Sequence, residues 1–284
     1  MKIVFFGVGA VCSVMATLLD ELSNKSKQKN INFIFVVRNI KKAQAHFFKN
    51  SNVLNKSDFL EIKHFEEIFE DSKKYEKYLQ NSDIFINSST PSFNLPIMNL
   101  ALKYNTNYAD LASDIYKDEI LSTLKFDQQI LENEFKYQNL FALINLGISP
   151  GITNFLIGEK IHSLKNLPYE VKIKKLEINL LEEIQSKKLI FSWSPKVAID
   201  ELAFPPVFYK KNRPKTIEPF SKSKVYKFPY FRNIVDIYPV FQEELISLKQ
   251  SFPQIENLKL SVGGSEIELM KNLYQLNLFS NKYC

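Results

Sequence analysis

Lys2-Ile3-Val4-Phe5-Phe6-Gly7-Val8-Gly9-Ala10-Val11-Cys12-Ser13 is the stretch on which the fold turns. One lysine is followed by an unbroken apolar run of Ile, Val and Phe that glycine halts, the pattern of a strand buried on both faces of a parallel sheet. From Ala10 to about Ser23, Val11, Val14, Met15, Leu18, Leu19 and Leu22 fall at helical spacing. A strand that passes into a helix through Gly-Val-Gly predicts a turn that holds the diphosphate of a dinucleotide. Gly7 permits the tight bend, Gly9 lets the backbone approach the ligand, and the N–H groups of Ala10 and Val11 open the positive end of the helix. The chain has only seven glycines in 284 residues, so two of them here mark backbone that does not tolerate a Cβ. The third position of the usual pattern is Cys12, small enough for helix and strand to pack closely. A tight turn without nucleotide is the plain alternative.

The alternation continues along the chain. Phe33–Val37, Phe59–Ile62, Asp83–Asn87, Tyr108–Leu111 and Leu140–Ile144 read as strands. Helical stretches lie between them at 40–49, 66–79, 95–104 and 117–137. Repeated β-α units with short connections predict an α/β fold, a Rossmann doubly wound parallel sheet covered on both faces. Past Pro150 the rhythm changes. After one more helix at 152–163, strand-like runs at 170–181, 188–193, 207–209, 225–228 and 258–261 are punctuated by prolines at 205, 206, 214, 219, 229 and 239. They predict a second α+β domain built on a mainly antiparallel sheet. The expected division is residues 1–115 for the nucleotide-binding domain, with the strand near 140–146 completing its sheet, and 116–284 for a substrate and dimerisation domain.

The end of the second predicted strand chooses the cofactor. NAD sites usually place Asp or Glu there for the ribose hydroxyls, whereas here Val37 is followed by Arg38 and Asn39, with Lys41 and Lys42 close behind. A guanidinium grips a 2′-phosphate bidentately, which favours NADP. Asn87-Ser88-Ser89-Thr90-Pro91 closes the fourth strand at the edge that faces the cofactor crevice. Ser88, Ser89, Thr90 and Pro91 either line the nicotinamide ribose and diphosphate or simply begin a helix.

Other chemistries find little support. The net charge of +6 is spread among interleaved Lys, Asp and Glu, so no nucleic-acid partner is expected. No apolar run reaches the roughly 20 residues of a membrane-spanning helix. Ile3–Val8 ahead of Cys12 is too short for a lipoprotein leader, and Val11 is too large for its cleavage site. Two cysteines, Cys12 and Cys284, make no disulfide framework and fit a cytoplasmic protein. His46, His64 and His162 stand apart, so no metal site is expected.

Three further segments carry a resemblance: Tyr108-Ala109-Asp110-Leu111-Ala112-Ser113-Asp114, Leu146-Gly147-Ile148-Ser149-Pro150-Gly151-Ile152-Thr153-Asn154, and Phe191-Ser192-Trp193-Ser194-Pro195. With the Gly7–Ser13 turn and Val36-Val37-Arg38-Asn39, they resemble the saccharopine dehydrogenase-like family, including carboxynorspermidine dehydrogenase relatives. Tyr238-Pro239, Phe252-Pro253-Gln254-Ile255 and Gly263-Gly264 extend the likeness over most of the chain. The resemblance implies an NADP(H)-dependent oxidoreductase that makes or breaks a secondary amine by hydride transfer at an imine, on a small amino-acid or polyamine-like substrate. It also implies a carboxylate near the iminium, with Asp114 the first candidate and Asp110 the second. An ordinary helix cap is the other role open to Asp114.

Ser149 and Gly151, at a strand-to-helix turn, and Trp193 are the substrate-side candidates. For Trp193 a place in the core is commoner than a ligand wall, and Arg213 and Arg232 either clamp a carboxylate or, more commonly, are solvated surface. Relative to the family the second domain is expected to be shortened after Cys284. A homodimer through the second sheet is the structural expectation. Two other classes remain open: a nucleotide-binding module without turnover, and an S-adenosylmethionine methyltransferase, against which Arg38 argues.

Overall fold

β1 (Lys2–Phe6) is the centre of a six-stranded parallel sheet. β2 (Asn32–Val37) and β3 (Ser57–Glu61) lie on one side of it, β4 (Ile84–Asn87), β5 (Asn107–Asp110) and the short β6 (Ala142–Leu143) on the other. The order β3-β2-β1-β4-β5-β6 reverses between β1 and β4, so the chain leaves these two neighbours in opposite directions and opens a crevice beyond their carboxyl ends. The computed structural model describes residues 1–26, 30–47, 51–113, 126–186, 198–199, 202 and 204–278. Among them, residues up to Ile152 form one compact unit and those from Thr153 onward a second.

The strands are apolar throughout because both faces are covered. Ile3 and Phe5 pack with Phe33, Phe35, Cys12 and Ala16 on one face, while Val4 and Phe6 pack with Ile34, Val36, Phe85, Ile97 and Met98 on the other. Phe5 and Phe35 stack at 5.5 Å between centroids. Complete burial of each such side chain contributes about 1.5–3 kcal/mol. α1 (Ala10–Lys25) covers the first face through Cys12 and Ala16. α6 (Asn94–Lys103) covers the second through Ile97, Met98 and Ala101.

The helix expected at 66–79 is three pieces: α4 (Glu66–Glu70), a 3₁₀ turn at Ser72–Tyr75 and α5 (Glu76–Leu79). The break falls at Asp71, whose backbone leaves the helical region at φ −133° and ψ 71°, and it lets Ile68, Tyr75 and Leu79 all reach the core. α2 (Ile40–Ala45) is shorter than expected, and α3 (Ser51–Asn55) precedes β3. Of the helix expected at 117–137, the described part is a 3₁₀ turn at Asp127–Leu131 followed by α7 (Glu132–Tyr137).

In the second unit, β8 (Val207–Lys210), β9 (Arg213–Thr216), β10 (Lys224–Lys227), β11 (Ile234–Pro239) and β12 (Asn257–Gly263) form an antiparallel path in the order β10-β11-β12-β8-β9. β7 (Lys175–Leu181) joins β12 in parallel. Lys211 and Asn212, both at positive φ, make the two-residue turn of the β8-β9 hairpin. Pro214 is tolerated because β9 is an edge strand. α8 (Ile152–Lys165), α9 (Glu244–Ser251) and α10 (Ser265–Gln275) are helices of this half. The run expected as a strand at 188–193 lies outside the described residues. No helix among the described residues is long and apolar enough to cross a membrane.

Candidate functional site

The Gly7–Gly9 turn sits at the reversal point and is clamped from both sides. Gly7 N donates to the Val36 carbonyl at 2.9 Å, Ser88 N to the Phe6 carbonyl at 3.1 Å, and Ser88 Oγ to the Gly7 carbonyl at 2.8 Å. Gly7 has φ +94°, in the left-handed region that favours glycine. Gly9 is extended, at φ −133°, and begins the sixteen-residue α1 with no side-chain cap and no acidic residue in the first turn. Among the described residues, a Cβ on Gly9 would meet nothing within 4 Å. Open space beside Gly9, at the positive end of a sixteen-residue helix, fits a diphosphate. Ala10 and Val11 are exposed beside it. Cys12 is buried against the sheet, and burial pushes its thiol up to about 12, opposed by the hydrogen bond with Ser88.

β2 ends one strand away. Asn39 Oδ1 accepts from Lys42 N at 2.9 Å and caps α2, so its side chain is committed to the helix. Arg38 is exposed, and among the described residues no ion pair or hydrogen bond holds it. At the end of β4, Thr90 and Ser92 share a hydroxyl contact of 2.9 Å, and Pro91 opens a 3₁₀ turn into α6.

A buried polar network extends from this edge. Asn87 Oδ1 accepts from Ser89 N at 3.0 Å and from Ser89 Oγ at 2.6 Å, while Asn87 Nδ2 donates to the Thr90 carbonyl at 3.1 Å and to Asn94 Oδ1 at 2.7 Å. Asn94 Oδ1 also accepts from Tyr108 Oη at 3.0 Å, and Asn94 Nδ2 donates to the Ala112 carbonyl at 2.8 Å. Asp110 is 1% exposed at the end of β5. Its Oδ1 accepts from Asn145 N at 2.7 Å and its Oδ2 from Gln128 Nε2 at 3.2 Å. Burial raises the Asp110 carboxyl to about 6, opposed by the hydrogen bonds from Asn145, Gln128 and Tyr108. Ser113 Oγ donates to Asn145 Oδ1 at 2.8 Å and accepts from Gln128 Nε2 at 3.0 Å.

The segment after β6 is wound tightly onto β5. Leu146 N donates to the Asp110 carbonyl at 2.9 Å, and Gly147 and Gly151 bridge to each other around a cis Ser149–Pro150 peptide. Glycine is required at both ends. A Cβ on Gly147 would lie 2.7 Å from the Leu111 carbonyl oxygen, and one on Gly151, at φ +134°, would lie 2.1 Å from the Gly147 carbonyl oxygen.

Residues 3–142 match the family described as the saccharopine dehydrogenase NADP binding domain. Through this domain the chain is similar to the saccharopine dehydrogenase-like family. Two solved structures share the fold over 98% of the chain. Saccharopine dehydrogenase (L-Glu forming) from Saccharomyces cerevisiae is 18% identical with a TM-score of 0.70, and 59% of its own chain is covered. The homospermidine synthase of Legionella pneumophila, solved in complex with NAD, is 14% identical with a TM-score of 0.64, and 69% of its chain is covered. At these identities the likeness is one of fold, and the chain spans less than two thirds of the yeast enzyme's length. No curated protein matches the sequence.

In this saccharopine dehydrogenase-type domain, the structure brings Gly7, Gly9, Ala10, Val11, Ser88 and Ser89 to one edge of the sheet, with Arg38 and Asn39 at the end of the adjoining strand. Asp114 and Trp193 lie outside the described residues. Ser149 is half-buried within the Gly147–Gly151 turn. Sequence reasoning missed Asn87, Asn94, Tyr108, Gln128 and Asn145. The available signal was a polar residue on an otherwise apolar face, as with Asn94 ahead of Ile97, Met98 and Ala101. A cavity of about 500 Å³ in the second unit, among Ile161, Val171, Ile173 and the Lys172–Glu170 and Lys174–Glu256 pairs, contains none of the predicted residues.

Proposed function

We propose that this protein is an NADP(H)-dependent oxidoreductase acting on the C–N bond of an amino-acid or polyamine-like substrate, reducing an imine to a secondary amine or running the reverse oxidation. The observation that carries this is the Gly7–Gly9 turn. One glycine is forced by its positive φ, and the other opens onto free space at the start of a sixteen-residue helix, within a domain of the saccharopine dehydrogenase NADP-binding family. The cofactor, when bound, supplies or accepts the hydride. The chain's own groups grip the diphosphate through the α1 N–H groups and the adenosine ribose through the end of β2. Arg38, exposed and without a partner among the described residues where NAD sites usually carry an acid, supports NADP over NAD.

Asp114 is the proposed carboxylate beside the iminium. Asp110 is less suited to that role, because its oxygens are occupied by Asn145 and Gln128 and it is closed to solvent. Ser149, Gly151 and Trp193 are the proposed substrate contacts.

Calorimetric titration with NADPH and NADH, followed by steady-state assays with saccharopine and homospermidine, tests the reading. The expected result is tighter binding of NADPH and turnover of at least one secondary amine. Nucleotide binding with no turnover on any amine and carbonyl pair supports a catalytically silent module instead. No heat from either nucleotide, or binding of S-adenosylmethionine in their place, overturns the redox function.

A further inference from the structure

Asn94 is 3% exposed, at the first turn of α6 and beside a core of Ile97, Met98 and Ala101. An apolar side chain there would pack against these neighbours but strand the Asn87 amide, the Tyr108 hydroxyl and the Ala112 carbonyl, so the amide has a specific task in an otherwise apolar setting. Its contacts lead to two different loops. Through Oδ1 it holds Asn87, which holds Ser89, and Ser89 lies directly against Gly7 of the diphosphate turn. Through Nδ2 it holds the carbonyl of Ala112, next to Ser113. From Ser113 the hydrogen bonds pass to Asn145 and Gln128, both shared with Asp110, and Asn145 begins the turn that closes at Gly151. Every side chain on this path between Asn87 and Asn145 is buried, the most exposed being Asn145 at 7%. Such a network fixes one arrangement of its members, because shifting any one of them strands a buried partner.

We propose that Asn94 is a positioning residue that couples the diphosphate turn to residues 111–113 and to the Gly147–Gly151 turn, so that nucleotide binding orders the segment from which the substrate contacts are drawn. The inference rests on the dinucleotide reading of the Gly7–Gly9 turn. Engagement of that turn restrains Ser89, Asn87 passes the restraint to Asn94, and Asn94 fixes the Ala112 carbonyl. Ser113 then holds Asn145 in place. The path runs entirely through the first unit, by hydrogen bonds except where Ser89 packs against Gly7 and where the peptide bond joins Ala112 to Ser113.

Hydrogen exchange read by mass spectrometry on the full chain, with and without NADPH, tests this. In the native protein NADPH is expected to slow exchange at peptides covering 6–13, at 108–113 and at 143–152. The distal slowing should be about tenfold, within the usual range of coupling between sites. In Asn94→Asp, which keeps the side-chain shape but sets an oxygen against the Ala112 carbonyl, slowing at 6–13 should persist while that at 108–113 and 143–152 is lost. Ser113→Ala provides a milder break farther along and should lose slowing only at 143–152. Distal slowing that is the same in both variants as in the native chain overturns the coupling, as does its absence in a native chain protected at 6–13. No slowing at 6–13 in the native chain overturns the nucleotide reading itself, and the coupling with it.

Discussion

Ser89 stands where a side chain on Gly7 would have to go: a Cβ built on Gly7 lies 2.8 Å from the Cβ of Ser89, and the backbone there is already at φ +94°. A Cβ on Gly9, two residues on, would meet none of the described residues within 4 Å. The two glycines should therefore fail differently. Gly7→Ala is expected to destabilise the fold by about 1–3 kcal/mol from left-handed strain and the clash. Gly9→Ala should leave the unfolding midpoint nearly unchanged yet weaken NADPH binding by about tenfold or more, since on the proposed function its Cβ would intrude on the diphosphate. Thermal unfolding paired with calorimetry distinguishes them, and equal loss of stability in both variants would count against a ligand-facing Gly9.

Arg38 predicts a selective effect. Hydrogen bonds to a charged group contribute about 1.5–3 kcal/mol, so Arg38→Ala should weaken NADPH binding by roughly 10- to 150-fold. NADH, without the 2′-phosphate, should change by less than about threefold. Parallel loss for both nucleotides would mean that Arg38 does not read the phosphate.

Cys12 should be chemically silent. Burial raises its thiol to about 12, so almost no thiolate forms near neutral pH. In a Cys284→Ser background, alkylation of the folded protein by iodoacetamide should be far slower than that of the urea-unfolded chain. Rapid labelling of the native protein would contradict the close packing of α1 on the sheet.

Glu182 predicts the pH dependence of stability. Burial first, and then the neighbouring Glu266 carboxylate, raise it from the usual 4.5 to about 7. Between those values the folded state binds more protons than the unfolded one, so stability falls as pH rises through this window and is fullest below it. Asp110, raised to about 6 from 3.8 chiefly by burial, acts with the same sign over a lower range. Glu182→Gln is expected to stabilise the protein by about 1–3 kcal/mol at pH 8 and by almost nothing near pH 4. Urea denaturation at the two pH values measures it, and an equal gain at both would show that the carboxyl is not perturbed.

The parallel sheet was legible because its strands are short apolar runs that end at glycine or at polar residues, and burial on both faces leaves that signature in any register. Helical spacing in α1 was equally plain, but not which stripe meets the sheet. Cys12 and Ala16 face inward, while Val11, Val14, Leu18 and Leu22 are exposed. Close approach of the helix behind a diphosphate turn selects small residues for the interface, and hydrophobicity alone points the other way. Pro214 concealed β9, since a proline inside a strand is tolerated only at an edge that the sequence does not reveal. α10 carries Glu266 and Glu268 in its first turn and buries only Ile267 and Met270 among its apolar residues, so its low apolar content hid a helix whose period is clear. The Asn87–Asn94–Ser113–Asn145 network was invisible for a deeper reason: its members are far apart in the chain and meet only when the sheet has formed.

The strand order also governs how the molecule emerges during synthesis. β1 is made first yet ends in the middle, and its second edge has no partner until Ile84–Asn87 has been added. A nascent chain that stalls short of that point presents an unpaired row of amides between Phe5 and Phe6 and their neighbours, an invitation to pair with another chain. Translation pauses ahead of residue 84, or fragments that end there, should therefore depend more heavily on chaperones than fragments that reach Asn87 and cover the second edge of β1.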